Sequence, residues 1–400
     1  MGKAIIIPSV NWGTKNLGRV TRLDGLVITG ASTTYGEDVV LTSTYNGNPV
    51  TAQWSVTSNN ATIVVSGSTC TVTPTGTAPS TITVQATYAG STETKTVSLV
   101  EMHLTIDGQE WLDENAITLT AKNGVSTVSG ATFAITDGSD LATITDNGNG
   151  TATLTAKTTG AGGLVTITVS KYGYTVTKQV RVYVMSGMLF HLDGADFANN
   201  NWTDRKGGKS LPMTKCTLNA NNDGVVFNGT SSYGGSLHNQ DTFGIIELTS
   251  GGTLEFALKP AVFSKATFQN VISLPANPNN CKTVHCFYRN SSDKMVMFCN
   301  ATIVAYSTDF SNAELSGSAI VQSASFQTSL CNGAAKEASG TDTNPQNGDS
   351  AVIGWNTASS YFKGEMYQIR IYGSNLTADQ MLNNQKIDAI RYNITLNSNS

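Results

Sequence analysis

The stretch Asp146-Asn147-Gly148-Asn149-Gly150-Thr151-Ala152-Thr153-Leu154-Thr155-Ala156 decides the fold class. Ala152, Leu154 and Ala156 fall on one face of an extended chain, while Thr151, Thr153 and Thr155 take the other. A period of two with small apolar and β-branched residues marks a strand with one buried and one wet side. The Asp-Asn-Gly-Asn-Gly run before it is rich in residues that tolerate positive φ, the chemistry of a hairpin turn. Working outward, Val180, Val182 and Val184 alternate with Arg181 and Tyr183 in the same way. Upstream the pattern has already occurred once. Gln53-Trp54-Ser55-Val56-Thr57, Thr69-Cys70-Thr71-Val72-Thr73-Pro74, Ile82-Thr83-Val84 and Lys95-Thr96-Val97-Ser98-Leu99 match Thr132-Phe133-Ala134-Ile135-Thr136, Thr151–Ala156, Ile167-Thr168-Val169 and Lys178-Gln179-Val180-Arg181-Val182. Equivalents lie about eighty residues apart, the length of one small duplicated domain. Short strands at this pitch with turn signals between them predict antiparallel sandwiches.

Composition agrees. Of 400 residues only 13% are charged while 39% are hydrophobic, so there is core-forming material but little of the charge of a helical cytosolic enzyme. The net charge of −4 is spread along the chain. No basic patch interleaved with aromatics occurs, which argues against nucleic acid as a partner. The six cysteines (Cys70, Cys216, Cys281, Cys286, Cys299, Cys331) contain no CxxC pair. The cluster Cys281, His285, Cys286 and Cys299 is the one group to weigh as a zinc site. Its spacing is wider than a finger pair, and adjacent residues on a strand point to opposite faces, so the expectation is reduced, space-filling thiols. No stretch approaches the roughly twenty apolar residues of a membrane helix.

The two copies resemble bacterial immunoglobulin-like domains of the group-2 type, through the aromatic at Trp54 or Phe133, the Thr-rich strand after a Gly-containing turn, and the closing Lys-x-Val-x-[Leu/Val] strand. That resemblance implies spacing and adhesion rather than chemistry. Trp54 and Phe133 are assigned to the cores, which lack the antibody-type Cys…Trp…Cys bridge.

From Met185 the texture changes to longer segments, Asn- and Gly-bearing loops and more aromatics. Gly187-Met188-Leu189-Phe190-His191-Leu192-Asp193-Gly194 is followed by Trp202-Thr203-Asp204, then Val225-Val226-Phe227-Asn228-Gly229-Thr230-Ser231-Ser232-Tyr233, then Gly252–Pro260. The last landmark is Tyr361-Phe362-Lys363-Gly364-Glu365-Met366-Tyr367-Gln368-Ile369-Arg370-Ile371-Tyr372. In this order they resemble the concanavalin A-like jelly-roll of the laminin-G type, with its adhesive function. Tyr367, Ile369 and Ile371 share one strand face, with Gln368, Arg370 and Tyr372 on the other. Gly364 permits a close backbone turn before that strand. Thr377 and Gln380 form a capping box, and Leu376 and Met381 a hydrophobic staple, predicting one helix from about Ala378 to near Ala389. The expected organisation is all-β: an N-terminal arm (1–21), two immunoglobulin-like sandwiches (22–101 and 102–184) and a jelly-roll with one short terminal helix (185–400).

Catalysis is not expected. Retaining glycanases need a carboxylate pair about 5 Å apart, which alternate residues on one strand would supply, and no Glu-x-Asp-x-Glu run exists here. Glu255 stands alone in sequence, and Asp107, Glu110, Asp113 and Glu114 fall in a turn of the other domain. Four histidines have no HExxH or triad context. No cofactor is expected. Calcium is the one ion worth weighing, through Asp193, Asp196 and Asp204, although aspartates at such spacing more often cap turns. Aromatics that stack on sugar faces would carry glycan binding, and Tyr233, Trp355 and Tyr361 are the candidates.

Modules of this kind are displayed outside cells, yet the N-terminus offers only a four-residue apolar run ending at Pro8. The expectation is a structural protein on the virion surface of a tailed bacteriophage, folded in the host cytoplasm and freed by lysis. A head fibre or capsid decoration is favoured, with a tail adhesin, a bacterial surface adhesin and, last, a polysaccharide-degrading enzyme as alternatives. Ile5, Ile6, Ile7, Val10 and Trp12 would dock the arm onto other virion proteins by adding to a sheet edge or filling a groove. A homodimer or homotrimer is expected, with cell-surface or mucus glycans as further partners held by many weak contacts.

Overall fold

The computed structural model describes residues 25–234, 252–261, 269–275, 283–289, 294–299, 302–305, 315–322, 325–331, 334–336, 352–355 and 361–396. The docking arm (Ile5, Ile6, Ile7, Val10, Trp12) and Cys281 lie outside them. The architecture is all-β with a single helix among the described residues.

In the first sandwich one sheet runs in the order Leu26–Thr29, Val39–Tyr45, Thr69–Pro74, Ala61–Ser66. The other runs Thr33–Thr34, Ser91–Leu99, Ser80–Tyr88, Gln53–Val56. The second copy repeats both orders: Leu104–Asp107, Ile117–Asn123, Thr151–Ala156, Ala142–Asp146, and Trp111–Leu112, Tyr174–Val182, Gly163–Lys171, Thr132–Asp137. Even the register is shared. Val39 pairs with Val72 and Leu41 with Cys70, as Ile117 pairs with Leu154 and Leu119 with Ala152. Gly30 and Gly108 occupy one equivalent bend, at φ +133° and +136°, where a Cβ would strike the backbone beside Leu41 or Leu119. Sequence reading found the strands of this duplication and missed the glycines.

Alternation makes the cores. Leu41, Val72, Ile82, Val84 and Val97 are fully buried in the first sandwich. At about 1.5–3 kcal/mol each they contribute more than the ~2–4 kcal/mol of a typical disulfide, so the sandwich stands without one. Cys70 is buried and free. Trp54 packs against this core and Phe133 is buried in the second, as assigned.

In the C-terminal domain the strand path is continuous. It runs Ala334–Lys336, Ser325–Cys331, Leu315–Gln322, Gly252–Pro260, Lys363–Tyr372, Met188–Ala198, Asn201–Asp204. It continues through Ser210–Thr214, Tyr233–Gly234, Val352–Ile353, Gln269–Pro275, Thr283–Arg289, Lys294–Cys299 and Thr302–Ala305. Three of the landmarks read from sequence hydrogen-bond to the fourth: Gly252–Pro260 along one edge of Lys363–Tyr372, Met188–Ala198 and Val225–Asn228 along the other.

Two expectations need correction. The helix spans Ala378–Tyr392, about one turn beyond the expected end, and stops at Asn393 in the left-handed conformation. Its capping box from Thr377 to Gln380 is formed as predicted, and Leu376 and Met381 are buried in one cluster. Alternation with a wet face also fails at the end of the second sandwich. Tyr183 is fully buried, because the helix covers that side.

By compactness the chain divides into two units. One comprises Met1–Ile106, Ala121–Thr132 and Val169–Val176; the other comprises Asp107–Thr120, Phe133–Thr168 and Thr177–Ser400. The functional features below belong to the second.

Candidate functional site

Tyr233, Trp355 and Tyr361 come from three separate segments. Tyr233 ends the strand pair with Ser210–Thr214, where Thr214 lies opposite it. Trp355 follows Val352–Ile353, and its carbonyl accepts from the buried Asn270 amide at 2.9 Å. Tyr361 precedes the central strand. The structure brings them together: ring centroids are 5.6 Å apart for Tyr233 and Trp355, tilted by 42°, and 6.0 Å for Trp355 and Tyr361, tilted by 32°. All three side chains are half-buried. The Trp355 indole N–H has no acceptor among the described residues. Such a row offers apolar ring edges and partial faces to a ligand with apolar C–H surfaces.

The acidic residues form a different arrangement. Arg370, fully buried on the central strand, directs Nε at Glu255 (2.9 Å) and both terminal nitrogens at Asp388 (3.0 and 3.1 Å). Asp388 also accepts from the Tyr183 hydroxyl at 2.8 Å, from Ser316 at 2.6 Å, and from Gln368. Glu255 accepts from Ser318 at 2.9 Å and from the Asn384 amide at 2.8 Å. Burial raises the Glu255 carboxyl above the usual carboxylate range, Arg370 works against this, and the Asp388 charge adds to it. Glu255 is therefore not alone, contrary to the sequence reading, which could not see partners so distant in the chain.

A second cluster surrounds Arg205. Its guanidinium pairs with Asp113, with Asp193 at 3.0 Å, and with Asp196. Arg391 pairs with Asp193 and lies 4.0 Å over the Trp111 ring. Asp204 instead accepts backbone N–H groups from His191, Lys206 and Gly207 at 2.7–3.1 Å, the turn-capping role. The Asp193 and Asp196 carboxylates thus face arginine cations, and an ion placed there would have to displace them. No group of three or more metal-ligating side chains occurs among the described residues. The other three members of the zinc candidate, His285, Cys286 and Cys299, lie on strands whose side chains are outside the described set.

The sequence pattern places Asp113 and Glu114 in a turn of another domain. They do follow the Trp111–Leu112 strand of the second sandwich, yet both contact the C-terminal domain. Glu114 Oε2 lies 2.9 Å from His191 Nδ1, and the other ring nitrogen faces Gln368 Oε1 at 3.4 Å. Burial alone would raise the Glu114 carboxyl, but the His191 charge and hydrogen bond outweigh it and hold the group at about 2. An acid whose folded value is depressed stabilises the fold above its ordinary value near 4.3 and loses that contribution as pH falls toward 2, about 3 kcal/mol in all. Urea denaturation at pH 7 and pH 3 should show a steep acid loss in the wild type. Glu114→Gln should be less stable at pH 7 and lose less on acidification; parallel pH curves would count against the pair.

No protein-family model matches the sequence, and no curated protein matches it. Solved structures with a similar trace include the receptor binding domain of botulinum neurotoxin C/D mosaic serotype, at 10% identity and a TM-score of 0.39, covering 51% of this chain and 52% of that one. The binding domain of botulinum neurotoxin DC in complex with SialylT gives 11% identity and a TM-score of 0.37, covering 50% and 51%. Trypanosoma rangeli sialidase, in complex with 2,3-difluorosialic acid as a covalent intermediate, gives 7% identity and a TM-score of 0.41, covering 87% and 68%. The chain spans about half the length of the neurotoxin domains. These scores are too low to assign it to any of them.

Proposed function

We propose that this chain is a non-catalytic surface protein whose C-terminal domain adheres to glycans through Tyr233, Trp355 and Tyr361. The observation that carries the reading is the convergence of Tyr233 with Trp355 and Tyr361, more than a hundred residues further along the chain, into one half-exposed row. Pyranose rings present apolar C–H faces that stack on such side chains, and each contact is weak enough to need many copies for firm attachment. The absence of catalysis is supported by the state of the acids around Arg370. Glu255 and Asp388 have no exposure and are held by a guanidinium, so neither is placed to meet a glycosidic bond.

The setting we propose is the virion surface of a tailed bacteriophage, as a head fibre or capsid decoration. The buried, unpaired thiols of Cys70 and Cys216 support folding in a reducing compartment before release. Docking to other virion proteins through Ile5, Ile6, Ile7, Val10 and Trp12, and assembly as a dimer or trimer, belong to the same proposal.

A glycan array probed with the full chain tests adhesion. Binding to a subset of sugars is expected, with Trp355→Ala reducing it at least tenfold while the unfolding midpoint moves little. A flat array, or equal binding by the variant, removes the aromatic row from the account. Antibody-gold imaging of purified particles tests the setting: label on capsid vertices supports it, and unlabelled particles overturn it.

A further inference from the structure

The second sandwich ends in Tyr183, Val184 and Met185, which have almost no exposure and share one apolar cluster with Met188, Tyr372, Leu376, Met381 and Ile387. The backbone there is not a free linker. Val184 N–H donates to Asn384 Oδ1 at 2.9 Å, and Val184 C=O accepts from the Tyr372 hydroxyl at 3.1 Å. Asn383 Nδ2 donates to Val182 C=O at 2.8 Å, and Arg181 donates to Asn383 Oδ1 at 2.9 Å. Gln380 reaches Ala161 C=O at 3.1 Å. One face of the terminal helix therefore caps the end of the second sandwich with amides, and its neighbouring Asp388 takes the Tyr183 hydroxyl.

Charge crosses the same boundary. Asp113 meets Arg205, Glu114 meets His191, and Trp111 lies under Arg391. Arg370 lies 4.3 Å over the Tyr183 ring. Separating the two parts would leave Arg205 short of Asp113, Arg391 short of the Trp111 ring and the Tyr183 hydroxyl, and Asp388 short of the Tyr183 hydroxyl. Removing one partner from a buried charged network is among the most costly defects a fold can carry. A junction between independent modules is expected to be exposed, polar and sparse in contacts. This one has the opposite character.

We infer that the body of the second sandwich and the C-terminal domain form one cooperative unit, latched by the terminal helix, so that the second sandwich is the base of the binding head and not a spacer. The inference goes beyond the proposed adhesion and stands whether or not a glycan binds. Its consequence for function is fixed aim: the aromatic row keeps one orientation relative to the second sandwich.

Hydrogen exchange by mass spectrometry on the full chain tests it. Amides of Thr151–Ala156 in the second sandwich and of Lys363–Tyr372 in the C-terminal domain are expected to open with the same free energy in the wild type. Tyr183→Phe removes the hydroxyl that donates to Asp388 and accepts from Gln368 and Arg391 across the boundary, and should speed exchange of both segments by the same factor, at least roughly tenfold. Asn384→Ala, placed on the helix, should do the same to Thr151–Ala156. Different wild-type opening energies would overturn the inference even if a variant failed to fold, as would a variant that loosens only its own side. Equal factors on both sides support it.

Discussion

Asp388→Ala is expected to destabilise the second unit by about 3–5 kcal/mol, the cost of stranding a buried charge. Arg370 would keep Glu255 but lose both bonds from its terminal nitrogens, and Tyr183 and Ser316 would lose their acceptor. Against a typical total of about 5–15 kcal/mol, that is a large fraction of the margin. Asp388→Asn keeps the shape and one acceptor oxygen, so a smaller loss is expected. Replacing Arg370, Glu255 and Asp388 together by apolar residues of similar volume should recover much of the deficit, since the pairing offsets a desolvation cost that the apolar set never incurs. Urea denaturation followed through the buried Trp202 gives the values. An Asp388→Ala protein within 1 kcal/mol of wild type (about 1 being the spread of ordinary substitutions) would show the network to be incidental.

Gly364→Ala should be as damaging for a reason of shape. Gly364 sits at φ +142°, and a Cβ there would lie 2.2 Å from the Lys259 carbonyl oxygen and 3.0 Å from the Ala261 nitrogen. Both obstacles are backbone, so no rotamer change relieves them. The contact lies where Pro260 pairs with Gly364 in the ladder that joins Gly252–Pro260 to the central strand, beside a register shift at Ala257/Leu258. We expect a loss of at least ~3 kcal/mol. Gly208→Ala is the control: it has φ +66° with open space around it, and should cost only about 1 kcal/mol of conformational strain. Thermal midpoints of the two variants that fell together would refute the steric explanation.

What the sequence made legible is what local chemistry decides. Alternation located the strands, the Thr377–Gln380 pair located the helix start, and Gly364 was recognised as a tight point before its strand. The aromatic candidates were named without any sign that they would meet, because only the strand pairing of Tyr233–Gly234 with Val352–Ile353 puts Tyr233 and Trp355 side by side. The charged junction was invisible for the same reason, on a larger scale. Tyr183 and Asp388 are 205 residues apart in the chain, and Glu114 and His191 are 77 apart. Taken singly, Glu255 looks like an isolated surface acid and Arg181 and Tyr183 look like the wet side of a strand. A face alternating with an apolar one reads as solvent-exposed unless a further element covers it, and periodicity carries no information about that cover.

The matched register of the two sandwiches sets Cys70 in the seat that Ala152 fills in the sibling copy. Burial pushes its thiol up to about 11, and that of Cys216 in the other unit up to about 12. Since the thiolate is the reactive form, neither sulfur meets an alkylating reagent at neutral pH while its surroundings stay closed. Each unit thus carries a native clock: the rate at which iodoacetamide marks the peptide holding Cys70 or Cys216 counts how often that interior breathes, with no foreign label introduced.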